Sequence, residues 1–330
     1  MNAPALSIVL VAPSGARTIG RTMRCLRAQT AADRLEVLIV APEAAGLDLD
    51  ALGGGCFHAL RVVEAGPIER RGSAAALGVR AATAPLVGLV EDHSFPEPGW
   101  AEAFIKAHEG PWAAVGPAVE NANPGPALSW AVFAVTYGSM SGPLTAGERD
   151  LLPWHNSTYK RAALAPYWAD LDEMLHWEGF LQLKLREAGG RLYLEPAART
   201  HHQNVSRLPS ALALNAAWGR VLGADRAERG GWTWARRLLY GVAWPLFPLM
   251  QLRGLVPQVR RLALPTGLLL RLVPALALTL AARAVGEALG YLAGPGHALE
   301  SLEDYELHRH RHLSRRDLDE AAHIEATATA

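Results

Sequence analysis

From Leu6 to Asn121 short apolar runs alternate with stretches whose apolar residues recur at helical spacing. The runs Ser7–Ala12, Glu36–Ala41, His58–Val63, Leu86–Val90 and Ala113–Val119 are bounded by turn residues, and so predict buried strands. Between them, Thr18–Gln29 and Gly72–Ala82 predict helices, the second so rich in alanine that neighbouring backbone can approach it closely. Strand, helix, strand alternation is the pattern of an α/β domain around a mostly parallel sheet flanked by helices. The first run has no basic segment before it and too few apolar residues for a signal sequence, so it reads as a strand. From Asn121 to Leu152 proline, glycine and serine rise and periodicity fades, which predicts a long excursion over the sheet.

A further helix is expected from Asp170 to the stop at Gly189 and Gly190, with Asp170, Asp172 and Glu173 in its first turn. Met174, Trp177, Leu181 and Leu185 share one face of it at 100° per residue, and Glu178 falls in the same stripe. A carboxylate there costs several kcal/mol if it is buried and unpaired. Glu178 therefore either meets a base or faces a cleft.

Beyond Trp232 the chain turns apolar and proline-broken, through Leu238–Leu252 and Leu262–Ala282. The first run is shorter than the ~20 residues a bilayer core requires. The second carries Arg271 near its centre, with Pro265 and Pro274. Between Arg199 and Arg283 twelve arginines face only Asp225 and Glu228. Two readings follow: helices lying in a membrane interface with arginines at the headgroups, or a helical domain packed on the rest of the chain. From Glu300 onward charges are mixed, and the closing Ala-Thr-Ala-Thr-Ala predicts a flexible tail. His308, His310 and His312 alternate with arginines there and read as a solvated basic cluster.

The length of 330 residues suits about two domains, and 50% hydrophobic residues suit a large core. Thirty-two basic residues balance 32 acidic ones, which argues against a nucleic-acid partner for the molecule as a whole. Two cysteines, Cys25 and Cys56, are too few for a disulfide scaffold and fit a reducing, cytoplasmic compartment.

Gly15, Gly20, Arg21 and Thr22 follow a strand with the spacing of a phosphate-binding P-loop. Arginine stands where the loop needs a compact lysine, so a P-loop nucleotidase is a minor alternative.

A second pattern begins at the same place. Ser7-Ile-Val-Leu-Val-Ala-Pro13, Arg17, Leu26, Gln29-Thr30 and Leu35-Glu-Val-Leu-Ile-Val40 resemble the opening of family-two glycosyltransferases of GT-A fold. The resemblance continues through Arg71–Gly78, Ala84-Pro85, Leu86–Val90, Glu91-Asp92-His93, Asn156–Arg161, Glu178 and Gly190-Arg-Leu-Tyr-Leu-Glu-Pro196. It implies a GT-A-like domain over 1–205, leaving a helical membrane-associated region at 206–299 and the tail at 300–330. The chemistry it implies is inverting transfer of a sugar from a nucleotide-sugar donor to a hydroxyl of a glycan or lipid-linked acceptor, at the cytoplasmic face of a membrane. The rival of another class is a noncatalytic nucleotide-binding scaffold, motivated by Ala41 and Ala76 at positions where the family carries polar residues.

By the same resemblance Pro13, Arg17, Glu43, Arg71, Glu91 and Asp92 are candidates for the nucleotide site. Glu91-Asp92-His93 stands where the family has its Asp-x-Asp metal motif, so Asp92 and His93, with His202 from farther along, are candidate ligands of Mn2+ or Mg2+. An imidazole in the set favours manganese. A departing diphosphate needs such a charge beside it, and inversion needs a base on the opposite face. Glu178 is the candidate base, with Asp172 and Glu173 as alternatives, and an apolar surround would raise its pKa. Trp154, His155, Asn156, Tyr159, Lys160 and Arg161 are candidates for pocket lining.

Overall fold

The computed structural model describes residues 3–176 and 178–328, and divides into two compact units. The expected place of Trp177 in the apolar stripe and the last two residues of the tail lie outside the described residues.

The first unit, 1–122 with 140–203, holds the sheet. Its strands are β1 (Leu6–Val11), β2 (Leu35–Ala41), β3 (Ala59–Glu64), β4 (Leu86–Val90), β5 (Ser94–Pro96), β6 (Trp112–Asn121), β7 (Gly147–Arg149), β8 (Thr158–Lys160) and β9 (Arg191–His202). They are joined in the order β3-β2-β1-β4-β8-β6-β9-β5, with β7 also on β9. The first four are parallel, whereas β8 runs antiparallel to both β4 and β6, so the sheet is mixed rather than mostly parallel. Short strands returning from loops supply the antiparallel members, and three-residue strands carry too little periodicity to be read from sequence.

Around the sheet stand α1 (Ala16–Arg27), α2 (Arg71–Ala81), α3 (Trp100–Ala107), α5 (Arg161–Leu164), α6 (Leu171–His176) and α7 (Glu178–Glu187), α4 (Ala127–Tyr137) being in the second unit. One core layer packs β1, β2 and β4 against α2, α6 and α7 through Val9, Leu38, Leu89, Leu175, Leu181 and Leu185. The other packs Ile8, Leu10 and Ile39 against Ile19, Met23, Trp100 and Phe104. The alanine-rich helix behaves as expected: a Cβ on Gly72 of α2 would come within 2.5 Å of the His176 backbone nitrogen, so α2 and α6 touch backbone to backbone. Because β1 leads outward through α1 to β2, while β3 returns through α2 to β4 on the other side of β1, the strand order reverses between β1 and β4. A crevice at the carboxyl ends of strands opens at such a reversal.

The second unit, 123–139 with 204–330, is helical. It comprises α4 (Ala127–Tyr137), α8 (Leu208–Arg229), α9 (Trp234–Val242), α10 (Phe247–Arg261), α11 (Thr266–Ala293), α12 (Ala298–Leu307) and α13 (Arg315–Ala328). Helix α4 lies in the stretch read from sequence as an irregular excursion; its apolar run is hidden between proline- and glycine-rich flanks, and Ala131 and Ala134 pack with Leu272, Leu276 and Leu280 of α11. Helices α8 and α11 cross at backbone contact, since a Cβ on Gly219 would meet the Arg283 carbonyl at 2.0 Å and one on Gly286 the Ala216 carbonyl at 2.0 Å. The region expected as a flexible tail is instead α12 and α13. Leu302, Tyr305, Leu307 and Leu313 are buried, and Asp317 accepts hydrogen bonds from Ser206 and from Asn123.

Candidate metal and catalytic centre

Strand β4 ends at Val90 and places Glu91, Asp92 and His93 at its carboxyl end, where the strand order reverses. Strand β5 then pairs antiparallel with β9, Ser94 opposite His202, and the backbone N–H of Gln203 donates to the His93 carbonyl at 3.0 Å. That register brings the His93 and His202 rings together edge to face, with centroids 5.0 Å apart. Alternation along β9 turns His202 inward, while His201 faces outward to Glu97 at 2.9 Å.

Glu91, His93 and His202 are all buried, and one ligand atom from each lies within 4.8 Å of the others. Oε2 of Glu91 accepts from Asn156 Nδ2 at 2.9 Å and from the Ser94 hydroxyl at 3.1 Å. Oε1 of Glu91 is buried and accepts no hydrogen bond among the described residues; it lies 3.6 Å from Nε2 of His93. A buried carboxylate oxygen left in that state is costly unless a cation completes it. One carboxylate and two imidazoles are a donor set suited to manganese or a similar transition metal more than to magnesium, which prefers oxygen alone. The residues therefore fit a divalent cation. Glu91, placed by the sequence among the nucleotide contacts, is the carboxylate of this cluster. Asp92, placed among the ligands, stands behind it, its Oδ1 accepting from Nδ1 of His93 at 2.8 Å. A carboxylate in that position orients the ring and fixes its tautomer.

Glu178 lies in α7 and has no exposed surface. Its Oε1 accepts from the His155 backbone N–H at 2.9 Å, from His155 Nδ1 at 2.6 Å and from Arg71 at 3.1 Å; its Oε2 accepts from the Tyr159 hydroxyl at 3.2 Å. The surround is thus polar rather than apolar, which corrects the expected direction of its pKa. Burial pushes the carboxyl up, but His155 beside it and then Arg71 outweigh burial and hold it below the ordinary carboxylate value. Burial first and the Glu178 charge second push the Tyr159 phenol well above its usual value, so it remains a donor.

His155 reaches Glu178 from a left-handed backbone conformation, φ 67°, uncommon for a residue with a side chain. Close packing holds the turn in place: a Cβ on Gly179 would come within 2.5 Å of the Trp154 ring. A ring nitrogen of His155 also lies within 4.8 Å of a Glu91 carboxylate oxygen. Gln182, one helical turn after Glu178, accepts from the Leu152 N–H at 2.8 Å and donates to the Tyr159 oxygen at 3.3 Å. Sequence reasoning passed over Gln182; its i, i+4 spacing from Glu178 was the available signal.

Pro13 lies in the turn after β1, Arg17 is exposed in the first turn of α1, and Glu43 is exposed beyond β2, so these three stand at the carboxyl ends of neighbouring strands. Arg71 is buried and held by Glu178 and by the Leu175 carbonyl. Asp172 and Glu173 pair instead with Arg80 and Arg70. The P-loop alternative is corrected: α1 begins at Ala16, so Gly20, Arg21 and Thr22 lie inside the helix, where no backbone nest can wrap a phosphate. Arg21 covers the Phe95 ring, and the Thr22 hydroxyl lies 3.0 Å from the Asp92 carbonyl.

No family model and no curated protein sequence matches the chain. Among solved structures the chain is similar to GalNAc-T7, crystallised with UDP, GalNAc and Mn2+, at 14% identity and a TM-score of 0.46, over 60% of this chain and 43% of that one. It is similar also to residues 1–349 of S. aureus TarS in complex with UDP, at 15% identity and a TM-score of 0.44, over 60% of each chain. For a longer S. aureus TarS structure the figures are 14% and 0.44, over 61% of this chain and 37% of that one. The chain thus spans less than two thirds of the length of each.

Proposed function

We propose that the first unit transfers a sugar, with inversion, from a nucleotide-sugar donor to an acceptor hydroxyl. The observation that carries this reading is the Glu91, His93 and His202 cluster at the crevice where the strand order reverses. Bound there, Mn2+ or Mg2+ would supply positive charge for a departing nucleoside diphosphate. Asp92 and Asn156 orient the donor groups through His93 and Glu91. Pro13, Arg17 and Glu43, at the ends of β1 and β2, are proposed to contact the nucleotide.

The acceptor proton goes to the Glu178 and His155 pair. Glu178 has an exposed fraction of 0% and His155 one of 11%, so the carboxylate acts through the imidazole. With its Nδ1–H directed at Glu178, His155 offers Nε2 to the hydroxyl, and the carboxylate stabilises the charge the ring acquires. Arg71 and Tyr159 hold Glu178 in place, Arg71 serving the site by this ion pair. A membrane-borne or polysaccharide acceptor, at the cytoplasmic face of a membrane, fits the arginine-rich apolar helices.

Calorimetric titration with nucleoside diphosphates and a screen of nucleotide sugars, each with and without manganese, test the reading. Manganese-dependent binding and turnover are expected, both lost in His93→Ala, while His93→Asp shifts preference toward magnesium. Binding without turnover of any donor would leave a nucleotide-binding scaffold; no binding with or without metal would remove the reading.

A further inference from the structure

The second unit carries an apolar surface out of proportion to the rest of the molecule. Among the described residues 19 large hydrophobic side chains are exposed, and 14 of them lie between Trp234 and Leu289. They include Leu239, Val242, Leu246, Leu249 and Met250 on α9, α10 and the turn between them, and Leu270 and Val273 on α11. Between Trp232 and Gly286 there are seven arginines and no acid. Arg253, Arg260, Arg261 and Arg271 are exposed and make no ion pair among the described residues. Between α10 and α11 runs a groove of about 390 Å³, lined by Leu252, Val256, Leu269, Val273 and other apolar side chains, with Arg260 the one charged lining residue. That volume falls in the range of small-molecule sites.

We propose that this face docks on an anionic phospholipid bilayer, the groove taking one acyl chain of a lipid whose phosphate meets the arginines. The inference deepens the membrane placement given above but rests on the second unit alone. The chemistry matches on both counts, since apolar side chains partition below the headgroups while arginine stems reach the phosphates. The face lies on the bilayer and does not cross it. Helix α11 has 28 residues and a mean hydropathy of 1.8 in its most apolar stretch, enough to span by length. Its second half, however, is locked to α8 at Gly286 and Gly290, beside the Arg226 and Glu287 ion pair. The part left open, from Thr266 to Leu278, is too short for the ~20 residues a span needs.

The test is flotation of the full chain with phosphatidylcholine vesicles, with and without phosphatidylglycerol. Binding is expected on the anionic vesicles, falling steeply as salt rises from about 0.1 M to about 1 M and the screening length shrinks to roughly 3 Å. An arginine near an anionic surface strengthens binding about fivefold. Replacing Arg253, Arg260 and Arg261 together by glutamine should therefore weaken binding about a hundredfold. Leu249→Asp, and separately Val256→Asp with Val273→Asp in the groove walls, should abolish it. Leu318→Asp, an exposed leucine on α13, should leave it unchanged. Melting temperature and circular dichroism show that each variant is folded. Two results overturn the proposal: no binding of the unaltered chain to anionic vesicles at low salt, or a self-associated chain that Leu249→Asp renders monomeric without changing vesicle binding. Donor turnover is not read, so failure here leaves the sugar-transfer reading standing.

Discussion

The Asn156 amide donates to Oε2 of Glu91 at 2.9 Å, while His155, the residue before it, donates to Glu178 at 2.6 Å. Two consecutive residues thus tie the candidate metal cluster to the candidate base. The positive φ of His155 permits the opposed reach of the two side chains.

Asn156→Ala removes one of the two donors that hold Oε2 of Glu91 and leaves the Ser94 hydroxyl to orient the carboxylate alone. Manganese affinity, followed by calorimetry, should fall about 10- to 100-fold, the usual effect of losing a hydrogen bond behind a ligand. Asp92→Asn should fall in the same range through His93. Affinity unchanged in both would mean that neither group orients a metal ligand.

His155→Gln should lower turnover by roughly 10² to 10⁴, the worth of a positioned base, with little effect on nucleotide affinity. Glu178→Gln should lower turnover in the same way and, in addition, lower the melting temperature. It strands the Arg71 guanidinium, and breaking a buried pair costs about 3–5 kcal/mol. Near-normal turnover in His155→Gln would return the base role to a carboxylate.

His108 is buried beside Lys160 and bonded to the Thr158 hydroxyl at 2.9 Å; burial first, then the lysine charge, lowers its pKa to about 4. The unfolded chain takes up this proton near pH 6.5, so between about 6.5 and 4 it binds more protons than the folded chain. Stability contributed by neutral His108 is therefore complete above pH 6.5 and declines as pH falls to 4, by about 3 kcal/mol in all. Urea titrations of the unaltered chain and of His108→Gln across this window should show a shallower pH dependence in the variant. Parallel curves would assign the decline to other groups.

Gly286→Val should destabilise the second unit by about 3 kcal/mol, the upper end of ordinary overpacking, because the new side chain meets the Ala216 carbonyl. Gly267→Ala, in the same helix but with nothing within 4 Å, should stabilise it by roughly 0.5–1 kcal/mol. Paired melting curves check the contrast, and equal effects would show that the α8 and α11 crossing yields to a side chain.

Properties that reside in one stretch of chain were legible without coordinates. Alternating apolar runs announced β1 to β4, α1 and α2, and the close approach expected at α2 occurs at Gly72. The run of arginines without acids stands in the sequence as a composition, which chain folding does not alter. Glu178 drew notice because a carboxylate is costly in an apolar stripe, and it is indeed fully buried.

What brings distant residues together was decided only by the tertiary structure. Arg71 meets Glu178 across 107 positions and His155 across 23, and these pairings, the histidine's first and the arginine's second, lower the pKa an apolar surround would have raised. The choice of Glu91 over Asp92 as the cluster's carboxylate depends on which side of the turn after β4 each faces. The place of His202 depends on the register of β5 against β9. A register shifted by one residue would present His201 instead, because side chains alternate along a strand. Periodicity records that a strand is present; its pairing partner and offset are set by packing across the whole sheet.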